Sequence, residues 1–179
     1  VDDNGSRAVL EQEVITSTPS VDEGIVGRLF VVIPLGGSSD SEQPEEEPDP
    51  DDPQQRDRVP EDAREVARWE LSDDAGLDFA KLTGDFNPLH WVSTYAKTAG
   101  FDNVILHGFS TMARTYESLK NDAFKGRRDL KTLDVKFTKP LVLPADVGVY
   151  LDDDNGVYVG DAPAGPNYMA GSYQLTEGR

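Results

Sequence analysis

Cysteine is absent from the 179 residues. Disulfides, thiolate nucleophiles, cysteine-held zinc and iron–sulfur clusters are therefore excluded, and the redox compartment stays open. Histidine is nearly absent as well, at His90 and His107 only. Imidazole chemistry is confined to one short stretch. No apolar run approaches ~18 residues, so no membrane-spanning helix is expected. The opening Val-Asp-Asp-Asn-Gly has neither the basic nor the apolar region of a signal peptide and no Met. The expectation is a cytoplasmic protein, with an organelle left open, and a chain that is either processed or part of something longer. Basic residues are scarce, 17 against 34 acidic, for a net charge of −17. Nucleic-acid binding, which needs a cationic footprint, is not expected. Residues 1–63 hold 17 of the acidic and 4 of the basic residues, so the acidity belongs mainly to the first third.

What is present divides the chain in three. Residues 8–17 and 25–34 are rich in β-branched and apolar side chains and read as two strands joined by a turn-like T-P-S-V-D-E-G. Two strands alone are marginal in water, so 1–35 is expected to pair with something else. Residues 36–63 follow as a disordered, self-repelling acidic linker, proline-punctuated and with little to bury. An acidic docking tail is the functional alternative.

Residues 64–179 read as the folded domain. A strand at 66–71 is followed by a short helix at 72–82 with Ser72 as N-cap, and then by a second short helix at 91–99. The longest helix is expected over 109–124, burying a stripe of Phe109, Met112, Ala113, Tyr116, Leu119 and Phe124. Strands at 130–138, 146–151, 156–160 and 167–175 come after it, with Asn155-Gly156 as a hairpin turn. A long helix followed by consecutive antiparallel strands predicts an α+β fold, with the helix packed on one sheet.

The chemistry concentrates between Leu82 and Thr111. Asn87-Pro88 forbids a helix across Asp85 and His90, and a turn there can bring the carboxylate and the imidazole to one point. Held at that point, one water could lose a proton to the carboxylate while the imidazole handles a second proton, with Asn87 orienting the group. A purely structural turn fits the same residues. Gly108 precedes the long helix, so its N–H is a free donor suited to a developing oxyanion; a glycine that merely allows a tight turn is the alternative. His107 reads as a packed, hydrogen-bonded histidine. Two histidines with Asp85 and Asp102 nearby match no common zinc spacing, and no metal is expected. Eight basic residues between Arg114 and Lys139, including Arg127 and Arg128, form a local cationic stretch that suits phosphates or an ordinary solvated face.

The stretch T-G-D-F-N-P-L-H, followed by A-x-x-x-G-F-x-x-x-I-x-H-G from Ala96 to Gly108, resembles the signature of the MaoC-like dehydratases, which include the (R)-specific enoyl-CoA hydratases. W-E-L-x-x-D-x-G before it and K-F-T-K-P-L-V-L-P (136–144) after it extend the resemblance over about 66–145. It implies a hotdog fold, a long central helix wrapped by an antiparallel sheet, here preceded by two extra strands and the linker. It implies reversible hydration of trans-2-enoyl thioesters to (R)-3-hydroxyacyl thioesters, with Asp85 and His90 as the catalytic pair, Asn87 helping to hold the water and the Gly108 amide on the thioester oxygen. No cofactor is implied beyond coenzyme A or acyl carrier protein carried by the substrate, which Arg127 and Arg128 would meet. The family often has an acid where Val92 stands and Met where Phe109 stands; Phe109 is expected to shape the acyl pocket. Pairing as a homodimer or with another hotdog unit is expected, and the first two strands look like the end of a preceding unit. A non-catalytic hotdog subunit binding an acyl thioester or a partner chain, and a hotdog thioesterase, are the alternatives.

Overall fold

The computed structural model describes residues 7–34 and 58–176. They fall in two compact units, one within residues 1–47 and one within 48–179. The linker expectation for 36–57 lies outside the described residues.

The first unit is an antiparallel hairpin of β1 (Arg7–Thr18) and β2 (Val21–Pro34), with Thr18 facing Val21. Pro19 and Ser20 suffice as the turn, since proline presets the φ that a turn needs. The longer turn expected over 18–24 is therefore shortened, and Val21 to Gly24 continue the second strand. Leu10, Val14, Ile15, Val26 and Phe30 are each about half exposed. Because Ile15 pairs with Val26 while Leu10 and Val14 point the other way, both faces carry apolar side chains.

The second unit holds a five-stranded antiparallel sheet in the order β3-β5-β6-β7-β4. Its strands are β3 (Arg64–Leu71), β4 (Leu130–Phe137), β5 (Ala145–Leu151), β6 (Gly156–Gly160) and β7 (Asn167–Leu175). Strand alternation sends Val147, Val149, Val157, Val159 and Met169, each at most 1 % exposed, to one face. They bury there together with Leu106, Leu119, Leu141 and Leu143. Tyr150 and Tyr158 point to the opposite face and pack with Val59 and Ala63. Residues 58–63 thus belong to the domain and not to the linker expected there. Val59 is 1 % exposed, its N–H donates to the Gly165 carbonyl at 2.9 Å, and Arg58 bridges Pro166. Only two apolar residues, Val59 and Ala63, carry this packing, too few to stand out in an acidic run.

Between β3 and β4 lie α1 (Ala75–Thr83), a 3-10 turn (Pro88–His90), α2 (Ser93–Thr98) and α3 (Gly108–Ser118), which continues as a π-helical turn over Leu119–Ala123. Ser72 does not cap α1. The helix starts after Asp74, whose side chain makes no cap bond, and Ser72 instead offers its carbonyl to the Ala75 N–H at 3.1 Å. The buried stripe of α3 also differs from expectation. Ser110, Thr111, Thr115 and Ser118 are buried, whereas Phe109 and Tyr116 are 48 % and 40 % exposed. Thr115 satisfies its hydroxyl on the Thr111 carbonyl at 2.9 Å, so small residues with internally paired hydroxyls let the helix sit close to its neighbours. The π turn then rotates Leu119 fully into the core. The Asn155-Gly156 turn is present between β5 and β6, with Asn155 in the left-handed region at φ 63° and Asp152 accepting the N–H groups of Asp154 and Gly156.

Candidate active site

The loop from Asp85 to His90 is built by its own polar side chains. Asp85 Oδ1 accepts the Asn87 N–H at 3.3 Å, and Asn87 Oδ1 accepts the Leu89 N–H at 3.2 Å. Two successive Asx turns thus fold the chain, and Pro88, with no N–H to satisfy, starts the 3-10 turn that carries His90. The turn-forming role of Asp85 and Asn87 leaves Asp85 Oδ2 unused by the turn and available to a chemical role. α1 presses against this turn at Gly76, where a Cβ would stand 1.9 Å from the His90 carbonyl oxygen.

His90 is oriented from outside its own turn. Its Nδ1 lies 2.8 Å from the Ile105 carbonyl, and the Ile105 N–H returns a bond to the Leu89 carbonyl at 3.2 Å. A carbonyl only accepts, so Nδ1 carries the hydrogen and neutral His90 turns the lone pair of Nε2 elsewhere. His107, 3 % exposed, stacks on His90 with ring centroids 3.6 Å apart and planes inclined by 24°. Its Nε2 donates to the Asp85 carbonyl at 3.1 Å and lies 3.8 Å from Asp85 Oδ2. Burial holds the His107 pKa below its ordinary 6.5, and His90 adds to that; the hydrogen bond to the Asp85 carbonyl and the Asp85 charge oppose it.

Asp85, His90 and His107 each place one donor atom within 4.8 Å of the others'. A metal ion would need lone pairs converging in the planes of both rings, and stacked, nearly parallel imidazoles direct theirs side by side. Asp102 is not part of this group. The arrangement suits proton transfer better than metal ligation.

A cleft of about 320 Å³ opens beside His90. Gly108, Thr111, Phe137, Lys139 and Tyr168 help line it. The Gly108 N–H opens α3 as a first-turn donor, and no hydrogen bond to it is found among the described residues. Phe137 lies over Gly108, its ring carbons 3.0 Å from where a Cβ would be. His90 and Gly108 are thus brought to one cavity, with Asp85 beside His90. Phe109, Arg127 and Arg128 are not: all three are exposed and none lines the cleft. Phe109 points away because the buried face of α3 is its Ser/Thr face. Arg127 and Arg128 sit in the turn before β4, and Lys139 is the basic residue that reaches the cleft. Lys139 stood in the K-F-T-K-P-L-V-L-P segment and was detectable there. His107 is packed and hydrogen-bonded as its sequence context suggests, but its stacking on His90 left no sign in the sequence. A second cavity of about 540 Å³ runs between α1 and α3, lined by Trp69, Phe79, Leu82, Ser110, Ala113 and Arg114 among others.

The chain is 35 % identical over 78 residues to 3-hydroxyacyl-thioester dehydratase X of Mycobacterium tuberculosis, which covers 44 % of this chain and 26 % of that protein. It is 29 % identical over 140 residues to the Dictyostelium discoideum protein named probable enoyl-CoA hydratase 2, covering 76 % of this chain and 46 % of that one. The chain thus spans less than half the length of these curated relatives. An R-hydratase from Pseudomonas aeruginosa, solved unliganded, shares the fold with a TM-score of 0.52 at 22 % identity, over 68 % of this chain and 87 % of that one. The family model described as MaoC like domain matches residues 43–160. That match takes in the Asp85 loop, the stacked histidines and the start of α3, and it makes the chain a member of the MaoC-like family, with that family's hotdog fold.

Proposed function

We propose that the protein hydrates trans-2-enoyl thioesters to (R)-3-hydroxyacyl thioesters and runs the reverse dehydration, with coenzyme A or acyl carrier protein as the carrier. One observation carries this reading: an Asp85 oxygen and a His90 nitrogen lie within 4.8 Å, beside a cleft that His90 shares with Gly108. Two hydrogen bonds of ~2.8 Å meeting at a tetrahedral angle span about 4.6 Å, so the two groups can accept both hydrogens of one water. Its free lone pair then faces the substrate C3. As the oxygen bonds to C3, one group of the pair takes a water proton, and the C2–C3 π electrons move onto the thioester oxygen. The Gly108 N–H receives that developing charge. The enolate collapses by taking the same proton at C2, and the pair returns to its starting state. Lys139 at the cleft supplies a point charge for the carrier's phosphate. Asn87, engaged in its turn, acts by fixing Asp85. Names borne by the two curated relatives support the reaction class.

The test is crotonyl-CoA hydration by the parent, Asp85→Asn and His90→Ala. Loss of either proton-transfer group is expected to lower kcat by about 10²–10⁴. Equal rates in all three proteins sink the mechanism. Chiral analysis of the product checks the (R) configuration, and free acid in place of hydroxyacyl thioester would assign the site to thioester hydrolysis.

A further inference from the structure

Beside the reacting pair, the hydration mechanism leaves one buried titratable group, His107, unused. His107 is 3 % exposed, its Nδ1 has no hydrogen-bond partner among the described residues, and its ring meets two others. Phe79 of α1 tilts against it at 5.0 Å, and His90 stacks on it at 3.6 Å. Its Nε2 bonds the backbone of Asp85. A single side chain therefore touches both members of the reacting pair without lining the cleft.

We propose that His107 is a positioning residue, neutral and protonated only at Nε2, that sets the Asp85–His90 separation by donating to the Asp85 carbonyl and stacking on the His90 ring. The proposal rests on the hydration reading above. The tautomer follows from the contacts. The Asp85 carbonyl can only accept, so Nε2 must carry hydrogen. No described residue pairs with Nδ1, so a second hydrogen there would be buried unpaired and would add a charge to a side chain only 3 % exposed. The titratable groups facing the ring are His90 from the 3-10 turn and Asp85 from the loop; Phe79, from α1, carries no charge. A proton on His107 would set a cation against the base and draw the Asp85 carboxylate from the shared water. Burial favours the neutral form, in the direction already described.

Two variants separate the two contacts. His107→Phe keeps a stacking ring and loses the donor, while His107→Gln keeps an amide donor and loses the ring. Each is expected to lower kcat for crotonyl-CoA hydration about tenfold or more while KM stays within about twofold, because neither contact reaches substrate. Parent-like kcat in both variants, with Asp85→Asn inactive, overturns the positioning role and leaves the hydration reading intact; a parent no faster than Asp85→Asn instead overturns hydration. Nitrogen NMR of histidine-labelled parent protein needs no variant to fold. It is expected to show His107 as the neutral Nε2–H form and His90 as the Nδ1–H form at pH 7. A protonated or Nδ1–H His107 overturns the proposal whatever the kinetics.

Discussion

Phe137 packs directly against Gly108, whose amide is the proposed donor to the thioester oxygen. A Cβ at 108 would meet three ring carbons at 3.0–3.1 Å, tighter than ordinary van der Waals contact, and the ring would have to withdraw by a few tenths of an ångström. Gly108→Ala is therefore expected to lower kcat/KM for hydration. The loss should stay below the ~10²–10³ of removing an oxyanion donor outright, since the N–H is displaced and not deleted. Phe137→Leu on the same background should recover part of it by freeing space; steady-state kinetics on the single and double variants checks both. At this scale the sequence was informative wherever chemistry is local. Asp85 and His90 meet because Asn87 and Pro88 build the turn between them, and turn chemistry is written in residue types. The stack of His107 on His90 is made by the 3-10 turn and the loop before α3, seventeen residues apart, and no spacing rule contains it. Only charge marks Arg127 and Arg128 in the sequence, and charge does not say which side of a turn faces a cleft.

Elements hold the site through one backbone contact in particular. At Gly76, α1 approaches the His90 carbonyl so closely that a methyl group has no room, and the obstacle is backbone that cannot rotate away. Gly76→Ala must push α1 off the 3-10 turn. Overpacking of this kind costs roughly 1–3 kcal/mol, and the displaced turn carries His90. The expectation is a lower Tm by thermal melting together with a loss of kcat in the fraction that remains folded; an unchanged Tm and kcat would show that the two elements are not pressed together. The same elements show where periodicity is a good guide and where it fails. The four strands after α3 were legible because turn signals separate them; β4 also alternates, whereas β5 and β6 are buried almost throughout. The helix was legible as a helix, but its buried face was not. Hydrophobic spacing selected Phe109 and Tyr116, whereas close packing selected Ser110, Thr111 and Thr115, whose hydroxyls can be satisfied within the helix. The π turn at Leu119–Ala123 shifts the register again, which a 3.6-residue period cannot represent.

Across the whole domain, two groups on different elements link folding to pH. His107 is held neutral by burial, with its pKa below the ordinary 6.5. Glu65 lies below its ordinary 4.5, first because of its hydrogen bonds from Arg68 at 2.6 and 3.1 Å, helped by the Tyr150 hydroxyl at 2.9 Å and opposed by burial. Arg68 also pairs with Asp146 at 2.9 Å, and burial with the bond to Glu65 pushes Tyr150 up to about 12. Both pKa values lie below their unfolded values, so in each window the unfolded chain binds more protons than the folded one, and stability rises with pH. The His107 contribution is complete above about 6.5 and is lost as pH falls toward its folded value; the Glu65 contribution is complete above about 4.5 and is lost below that. The Glu65 window should be the shallower, because that carboxylate is partly exposed and solvent screens its ion pair. Melting temperatures measured from pH 8 to pH 3 are expected to fall in two steps. His107→Phe should flatten the upper step and leave the lower one, while Glu65→Gln should do the reverse. A His107→Phe protein that still loses stability between pH 6.5 and 5 as steeply as the parent would show that the stacked histidine is not what the domain must keep uncharged.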